Sequence, residues 1–337
     1  MLAVTLKQIA EACNVSTATV SKALNYASDI GAEKAESIRR TAKSMGYFPN
    51  AAARALKTNH SRNIGVTFSL DRAIGLTHEY FAQILESFQL EAETSGYDLT
   101  LISRSLGKTV MSYLEHSIYR NCDGIFVLAQ KFEDPSIIEL VSSKIPLVTI
   151  DYAFNGCSAV SSDNVNNMSG LVRYVHSLGH RKIAFIYGDK IDVTTRRIEG
   201  FYKTCGELGL SIPHDYVVEG VYHCPETSAA ATRKLMSLTD RPTCIMYPDD
   251  YSYIGGMNEL DRLGFSIPED ISVTGFDGIS LSKGLRPNLT TFHQDSGAIG
   301  KKAAQLLVSA IEQPDKYKFE HVIIPGTVWE GGTVKKQ

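Results

Sequence analysis

The 337-residue chain lacks any apolar run near the roughly 18 residues that a membrane-spanning helix needs, so we expect no membrane partner. It also lacks a charged amino-terminal region followed by a long apolar stretch, which argues against a secretory signal peptide. The six cysteines are scattered without C-x-x-C spacing. This pattern is typical of reduced thiols and not of a disulfide framework. We therefore expect a cytoplasmic protein.

The chain lacks the signatures of common catalytic and cofactor sites. It has no G-x-S-x-G elbow, no G-x-x-x-x-G-K-[ST] phosphate loop and no G-x-G-x-x-G after a predicted strand. His176 and His180 are four residues apart, but Leu178-Gly179 interrupts the spacing and no H-E-x-x-H glutamate is present. Asp249 and Asp250 are adjacent, and adjacent side chains usually point apart. We expect no enzyme activity, no metal site and no cofactor.

Charge is distributed unevenly along the chain. The hydrophobic content of 43% is ample for packed cores, and the overall net charge is −3. Residues 1–62 carry nine Lys/Arg and four acids, a net charge of +5, which leaves −8 for the remainder. A basic head on an acidic body indicates a protein that touches phosphates with one end only.

The amino-terminal segment predicts two short helices separated by a break. Thr5 and Gln8 have the spacing of a capping box at the start of the first helix. Asn14-Val15 break that helix, and Ser16 or Thr17 caps the next. A third helix is predicted at about 32–45, before Gly46. Two short helices joined by a tight turn fit a DNA major groove, although an ordinary helical hairpin in a packed domain is the alternative.

The second of these helices begins with short polar side chains, as a helix that enters the major groove must. Its hydroxyls and its amino terminus can anchor phosphates. Lys22, further along, can reach O6 and N7 of guanine, and Ala18 and the Thr17 methyl can touch a thymine methyl. The candidate DNA-contacting residues of the head are Thr5, Ser16, Thr17, Ala18, Thr19, Ser21, Lys22 and Asn25.

The segment after Pro49 predicts a short basic helix over 51–57, capped by Asn50. Leu56 is then a partly exposed leucine on this helix, beside the basic Arg54. Apolar side chains of this kind insert between base steps in the minor groove and kink the duplex. The alternative is that Leu56 packs on the body.

From residue 63, short β-branched or aromatic runs alternate with amphipathic helical stretches. Such alternation predicts parallel sheets with crossover helices, and the number of elements predicts two α/β lobes. Ligands bind such sheets beyond the carboxyl ends of the strands, here between the lobes. Strands are predicted at 64–69, 97–102, 123–128, 146–150, 182–187, 244–247 and 272–275, and helices at 79–95, 108–120, 135–143, 164–178, 194–208, 226–237, 250–263 and 296–312.

The motifs Val4–Ala10, Val15–Asn25 and Gly46–Leu56 resemble those of the lactose/galactose-repressor (LacI/GalR) family of bacterial regulators. The resemblance implies a small all-α helix-turn-helix head and an α/β periplasmic-binding-protein-like body of two doubly wound lobes. It also implies a homodimer on a near-palindromic double-stranded operator. The resemblance continues through the motifs at 64–66, 123–125, 178–185, 197–201, 273–277 and 289–291.

In this family the residues at the positions of Thr17, Ala18 and Lys22 read bases, and paired hinge helices pry open a central base step with the leucine that corresponds to Leu56. Many members carry arginine where Lys22 stands. Since lysine lacks the arginine fork, the operator of this chain is expected to differ. The implied domains are a head at 1–48, a hinge and linker at 49–62, and a body at 63–337 with lobes of roughly 63–161 with 292–322 and 162–290 with 324–337.

The resemblance also implies a small-molecule effector between the lobes, most simply a sugar or sugar derivative. Tyr80 and Phe81 stand where members place an aromatic platform, and Arg197 stands at the position of a ligand-gripping arginine. Asp250 and Asp277 follow predicted strands, where carboxylates can accept hydrogen bonds from hydroxyl pairs. The candidate effector residues are Tyr80, Phe81, Asp151, Arg197, Tyr222, Asp250 and Asp277.

Structural roles remain open for several of these residues. Asp250, or Asp249 beside it, can cap the helix predicted to begin next. Arg197 and Asp277 can form a structural pair, and Tyr80 with Phe81 can belong to the core. The chain departs from the family pattern over 71–80, at the mouth of the expected pocket, so a relative's ligand does not transfer directly.

We expect a ligand-responsive repressor that an inducer releases from its operator. One alternative is co-repressor logic, in which the ligand tightens DNA binding. A different class, a sugar-binding transport component, would share the body but lack the DNA-binding head.

Overall fold

The computed structural model describes residues 4–27, 29–48, 55, 60–68, 75–128 and 132–337. The chain forms two compact units, Met1–Ser61 and Arg62–Gln337. In the first unit, here called the head, the helices are α1 (Leu6–Ala12), α2 (Thr17–Leu24) and α3 (Ala32–Ser44).

The head has its own small core, because Ile9, Val20 and Ile38, one from each helix, are almost completely buried. The capping box of α1 is confirmed: the Thr5 amide donates to Gln8 Oε1 at 2.8 Å, and the Gln8 amide donates to Thr5 Oγ1 at 3.3 Å. The predicted hinge-helix residues Asn50, Arg54 and Leu56 lie outside the described residues.

The second unit, here called the body, alternates strands and helices. Its described strands are β1 (Asn63–Phe68), β2 (Asp98–Ile102), β3 (Ser105–Leu106), β4 (Thr109–Val110), β5 (Gly124–Leu128), β6 (Leu147–Ile150), β7 (Ser158–Ser162), β8 (Ile183–Tyr187), β9 (Val217–Glu219), β10 (Cys244–Met246), β11 (Ser272–Asp277), β12 (Thr291–His293), β13 (His321–Ile324) and β14 (Thr327–Trp329). Its described α-helices are α4 (Glu79–Thr94), α5 (Tyr113–Tyr119), α6 (Pro135–Val141), α7 (Asn164–Ser177), α8 (Asp192–Glu207), α9 (Pro225–Met236), α10 (Tyr253–Arg262), α11 (Ser280–Gly284) and α12 (Ser296–Glu312), and short 3₁₀ helices occupy Gly75–Thr77 and His214–Tyr216.

Two six-stranded sheets form the centres of two lobes. The first has the order β13-β7-β6-β5-β1-β2 and is parallel throughout. The second has the order β14-β12-β11-β10-β8-β9 and is parallel except for β14, which pairs antiparallel with β12. Central strands such as β5 and β11 are buried along their whole length, as expected for sheets covered by helices on both faces.

The lobes are interleaved in sequence. The chain leaves the first sheet after β7, returns after β12 with α12 packed on α4, adds β13, and then crosses again to place β14 in the second sheet. Ile279, just before α11, packs into the hydrophobic core of the first lobe. Since parallel strands end at one edge of each sheet, these connections place the carboxyl ends of both sheets around one cleft.

The predicted strands and helices of the body agree with the observed elements, apart from their ends and a few short pieces. The helix predicted from residue 108 begins at Tyr113, because β3 and β4 form a small hairpin just before it. The sequence did not indicate β7, whose serines and alanine are buried without a β-branched or aromatic run. Among the described residues, no helix is long and apolar enough to cross a membrane.

Candidate effector cleft and DNA-contacting helix

The amino-terminal end of α2 presents the predicted polar residues on the outside of the head. Ser16, Thr17 and Ala18 are exposed, whereas Val20 and Ala23 face the core. Ser16, not Thr17, is the N-cap, and its hydroxyl accepts a hydrogen bond from the Thr19 amide at 3.1 Å. The helix therefore opens with its polar side chains and unpaired backbone amides at the surface, as phosphate and base contacts require.

Two further predicted DNA-contacting residues, Lys22 and Asn25, lie in the last turn and at the C-cap of α2. Lys22 is exposed, and its Nζ donates to Asp29 Oδ2 at 2.5 Å. Asn25 is also exposed, and its Nδ2 donates to the Ser21 carbonyl at 2.8 Å. Thr5 is exposed but is engaged in the capping box of α1. The head thus brings the predicted residues of α2 onto one exposed surface.

Arg197, on α8, is buried at the second-lobe side of the cleft with 5% of its surface exposed. Its Nε donates to Asn164 Oδ1 at 2.9 Å and its Nη1 donates to the Pro248 carbonyl at 3.0 Å. Its Nη2 lies 3.9 Å from Asp277 Oδ1, and its guanidinium carbon lies 3.7 Å from the centre of the Phe276 ring. The guanidinium is therefore held by the protein on several sides.

Asp277 ends β11 with a φ of 105°, an unusual conformation for a non-glycine residue. Its Oδ1 accepts a hydrogen bond from Gln294 Nε2 at 2.7 Å. Burial raises the pKa of Asp277 to about 7, although the nearby charge of Arg197 opposes the rise. A buried carboxyl with a pKa near neutrality, in a strained backbone, is typical of a functional site.

Asp250 is completely buried, and each of its two carboxyl oxygens accepts a hydrogen bond. Its Oδ1 accepts from the Thr291 hydroxyl at 2.5 Å and its Oδ2 accepts from the Ile279 amide at 2.9 Å. Burial, reinforced by Asp277, raises its pKa well above the usual range. Gly275 on β11 leaves room for this carboxyl, since a Cβ there would lie 2.1 Å from Asp250 Oδ1.

Neither Asp249 nor Asp250 is the N-cap of α10, which is Ser252, but Asp249 bonds the turn that leads into this helix. Its Oδ1 accepts from the Ser252 amide at 2.7 Å, and its Oδ2 accepts from the Ser252 hydroxyl at 2.7 Å and the His223 amide at 2.9 Å. Asp249 therefore fixes the turn before α10 and the loop that carries Tyr222 and His223.

On the first-lobe side of the cleft, several buried polar atoms lack a hydrogen-bond partner among the described residues. These atoms are the Thr67 hydroxyl at the end of β1, the Tyr80 hydroxyl in the first turn of α4, and Asp151 Oδ1 just after β6. Asp151 has a φ of 67°. Burial raises its pKa to about 6 against the attraction of Arg197. Buried polar atoms normally find partners, so these three atoms have hydrogen-bonding capacity that the described residues do not use.

Tyr80 belongs to both the core and the cleft. Only 5% of its surface is exposed, and its ring packs in the core of the first lobe. Burial raises the pKa of Tyr80 well above the usual value, and the charges of Asp151 and Asp277 raise it further. Phe81 is partly buried and meets Phe68 edge-to-face at 6.1 Å between ring centres.

Tyr222 lies on the second-lobe side. Its hydroxyl is 2.9 Å from the Thr194 hydroxyl, and its ring lies close against Gly188, where a Cβ would approach within 2.3 Å. Burial raises its pKa, with the opposing attraction of Arg197 the next largest effect. Tyr222 therefore forms a wall of the cleft close to Arg197.

A ring stack that the sequence did not indicate bridges the lobes. The His78 ring lies 4.8 Å from Phe81 and 4.6 Å from His223, and His223 stacks on Tyr251 at 3.9 Å between ring centres. The Nδ1 atoms of both histidines are buried and unpartnered within the described part of the chain. Burial lowers the pKa of His78 to about 3, followed by the effects of His223 and Arg197, so this imidazole is neutral at physiological pH.

A hydrogen-bonded contact joins the lobes beside this stack. Glu79 Oε1 accepts from the Ser280 amide at 2.7 Å, and Glu79 Oε2 accepts from the Ser280 hydroxyl at 2.8 Å. The start of α4 in the first lobe is thereby tied to α11 in the second. Any change in the angle between the lobes must alter this contact.

Known proteins and protein families match nearly the whole chain. The family model for bacterial regulatory proteins of the lacI family matches residues 5–50, and the model for a periplasmic binding protein-like domain matches residues 172–334. The HTH-type transcriptional repressor PurR of Haemophilus influenzae (strain PittEE) is 31% identical over 316 residues, which cover 93% of this chain and 92% of that protein.

The chain belongs to the lacI family. It is a helix-turn-helix, DNA-binding transcriptional repressor with a periplasmic-binding-protein-like body, and this family is one of regulators and not of enzymes. The fold expected from the sequence is confirmed.

Solved structures of lacI-family regulators share this fold along the full chain. The lac repressor dimer bound to operator and the anti-inducer ONPF aligns with a TM-score of 0.81 at 22% identity, covering 99% of each chain. The transcriptional regulator CelR in complex with cellobiose aligns with a TM-score of 0.71 at 21% identity, covering 98% of this chain and 99% of that one.

The sequence reasoning about this lacI-family member missed several residues of the cleft. Asn164, which orients Arg197, stands at the start of α7, where it reads as a helix cap. His78 lies in the segment that departs from the family pattern, and that departure was the one available signal. His223 and Thr67 carried no signal, because only the tertiary fold brings them to the cleft.

Proposed function

We propose that this regulator represses transcription as a homodimer on a near-palindromic operator, and that a carbohydrate-type inducer bound in the cleft releases it. The observation that carries the proposal is the set of buried polar atoms on the first-lobe wall that have no partner among the described residues, together with buried Arg197 and Asp277 on the other wall. Such atoms are stabilised when a ligand supplies the missing hydrogen bonds. The protein acts on chromosomal DNA and hence in the cytoplasm.

On the DNA side, Thr17, Ala18 and Lys22 are the proposed base readers. Their exposure at the start and outer face of α2 supports this role. Ser16, Thr19, Ser21, Asn25 and Thr5 are proposed to contact phosphates or flanking bases, and Asn50, Arg54 and Leu56 to form the hinge contacts.

Exposed apolar side chains along one edge of the first lobe support dimerisation. Leu101 on the edge strand β2 is 56% exposed, Val110 on β4 is 83% exposed, and Ile118 and Tyr119 on α5 are each 62% exposed. These elements are neighbours in the chain and in the fold. A second copy of the chain would cover this edge, which is otherwise an aggregation hazard.

The effector is proposed to be an uncharged, hydroxyl-rich molecule. The cleft offers carboxyls that accept hydrogen bonds from hydroxyl pairs, with aromatic rings that suit the apolar faces of a sugar. The fold shared with the cellobiose complex of CelR is consistent with this choice. Within the predicted set, we propose that Tyr80, Phe81, Asp151, Arg197, Tyr222 and Asp277 contact the effector, and that Asp250 acts indirectly by holding the loop before α11.

The experiment that tests this function is selection of operators from a pool of randomised duplexes, followed by titration of mono- and disaccharides into the protein–operator complex. We expect a near-palindromic consensus and at least one sugar that weakens the complex. A sugar that tightens it would establish co-repressor logic instead. Operator affinity unchanged by every sugar would contradict the proposed effector.

Two substitutions separate base reading from phosphate contact. Lys22→Ala should relax sequence preference at one position of each half-site, with a cost of about 1–3 kcal/mol for the preferred base. Arg54→Ala should weaken binding more evenly across sequences and lower the salt dependence. Unchanged sequence preference in Lys22→Ala would remove Lys22 from the base readers.

A further inference from the structure

Lys22 is not a free cation in the head, although it is exposed. Its Nζ lies 2.5 Å from Oδ2 of Asp29, in the turn between α2 and α3. The two side chains are 53% and 58% exposed, so this pair is accessible on the outside of the head. The hydrogen bond from Lys22 lowers the pKa of Asp29, so the carboxylate is ionised at neutral pH.

The number of donors on a lysine ammonium gives this pair a specific geometry. An ammonium group carries three N–H donors and no acceptor, and it rotates freely about its last bond. Guanine presents two neighbouring acceptors, O6 and N7, in the major groove. When Asp29 takes one donor of Lys22, two donors remain in fixed directions, which matches the two acceptors of one guanine.

We propose that Asp29 is a specificity-determining residue of the operator-reading surface, which positions the Lys22 ammonium so that its two remaining N–H groups bond O6 and N7 of a single guanine. The inference rests on the proposed role of Lys22 as a base reader. Asp29 acts through Lys22 and does not itself touch the base. The pairing with Asp29 thereby fixes the direction of the lysine N–H donors, whereas the planar guanidinium of an arginine fixes its donors without a partner.

The same carboxylate lowers the affinity for DNA of any sequence. Residues 1–62 have a net charge of +5, and an acid beside the groove repels the phosphates while it neutralises one of the cations. Non-specific binding depends almost entirely on this charge, whereas base discrimination depends on the direction of the donors. Asp29 therefore raises the specificity ratio in two ways.

The test compares two variants of the full-length protein that remove one negative charge each. Asp29→Asn removes the partner of Lys22, and Glu33→Gln removes an exposed acid in the first turn of α3. Fluorescence anisotropy measures Kd for three duplexes: the site selected by the wild type, the same site with its Lys22-dependent guanine replaced, and a random sequence. Each duplex is measured at two salt concentrations.

We expect Asp29→Asn to lose about fivefold or more of the discrimination for guanine while it binds random DNA more tightly. Glu33→Gln should bind all three duplexes more tightly by a similar factor and retain discrimination. In a double-mutant cycle, Asp29→Asn should cause no further loss of discrimination when Lys22 is already alanine.

Three results would overturn the inference: discrimination in Asp29→Asn equal to that in Glu33→Gln, a Lys22-dependent position that is not guanine, or additive losses in the cycle. Circular dichroism of each variant confirms the helical head, and Asp29→Ser replaces Asp29→Asn if the latter is not folded. A wild type that selects no site contradicts the proposed function itself. A wild type that discriminates together with an Asp29→Asn that discriminates equally contradicts the inference alone.

Discussion

The site residues on the two walls of the cleft differ in how their polar groups are bonded. On the second-lobe wall, Arg197 and Asp250 have partners within the protein at their charged atoms, and Asp277 shares in the same network. On the first-lobe wall, the Tyr80 hydroxyl and Asp151 Oδ1 have none within the described part of the chain. The difference indicates that Arg197 and Asp250 are held by the protein, whereas Tyr80 and Asp151 keep polar atoms that a ligand can bond.

This contrast gives different roles to the candidate effector residues, which the sequence alone does not distinguish. A partnered charge contributes to stability, and its removal leaves another buried group without a partner. An unpartnered buried group costs stability until a ligand bonds it. Substitutions on the two walls should therefore change the free energy of unfolding in opposite directions.

The largest effect is expected for Arg197→Ala. It leaves the Asn164 amide oxygen, the Pro248 carbonyl and the Asp277 carboxyl without their cation, so we expect the body to lose about 3–5 kcal/mol of stability. Urea denaturation followed by circular dichroism measures the loss. The matched control is Arg196→Ala, since Arg196 is half exposed and forms a surface ion pair with Asp192 one turn earlier on α8. That control should change stability by about 0.5 kcal/mol or less.

An Arg197→Ala protein that remains stable and only fails to bind the effector would contradict the proposed structural role of Arg197. It would mean that the guanidinium contributes mainly to the ligand and that its internal partners tolerate its loss.

An intermediate effect of opposite sign is expected for Asp151→Asn. The folded-state pKa of about 6 lies above the ordinary value, so the unmodified carboxyl destabilises the fold increasingly as pH rises from about 4 through 6. The asparagine removes this cost, and we expect a gain of order 2 kcal/mol at pH 7.5 that disappears near pH 4. Thermal unfolding at a series of pH values measures the difference.

The matched control for that experiment is Asp261→Asn, because Asp261 is exposed on α10. Its stability difference from the wild type should be small at every pH. The effector should bind Asp151→Asn more weakly than it binds the wild type. A loss of stability in Asp151→Asn at pH 7.5 would show that the carboxylate is satisfied in the folded protein.

The smallest effect is expected for Tyr80→Phe, which removes a hydroxyl that lacks a partner within the described residues. Stability should remain within about 0.5 kcal/mol of the wild type or increase slightly. Tyr247→Phe is the matched contrast, since the Tyr247 hydroxyl lies 2.7 Å from the Thr232 hydroxyl in a buried site. Its loss should cost about 1 kcal/mol.

The affinity for the effector provides a second comparison of Tyr80→Phe with Tyr247→Phe. Isothermal titration with a sugar that binds the wild type should show a weaker complex for Tyr80→Phe and an unchanged one for Tyr247→Phe. Equal affinities for wild type and Tyr80→Phe would exclude the phenol from the ligand contacts.

The sequence predicted the fold well because its signals are local. Alternating apolar runs and amphipathic stretches indicated the parallel sheets, and the motif at 15–25 indicated the reading helix. Placing carboxylates at strand ends needed only the rule that parallel strands end at one edge. Short strands such as β12 and β13 gave little signal, because three or four residues carry no reliable periodicity.

The internal partners of the site residues were beyond local reasoning. Arg197 bonds to residues 33 and 51 positions away, and nothing in the sequence connects Asn164 or Pro248 to it. From the sequence, Asp29 is only one acid in a basic head. Its pairing with Lys22 depends on the path of the turn between α2 and α3, which the sequence does not show. Residue types identify candidates for a site, but the fold decides which of their hydrogen bonds are already used.

The interleaving of the lobes has a consequence for biosynthesis. The second sheet is completed only by β14, and the Thr333 hydroxyl beyond it donates to the Val273 carbonyl of the central strand β11. During synthesis, therefore, neither lobe can close until the ribosome has released the segment that carries β13 and β14. The three-helix head, whose core comes from its own first residues, can meanwhile fold as soon as it is released.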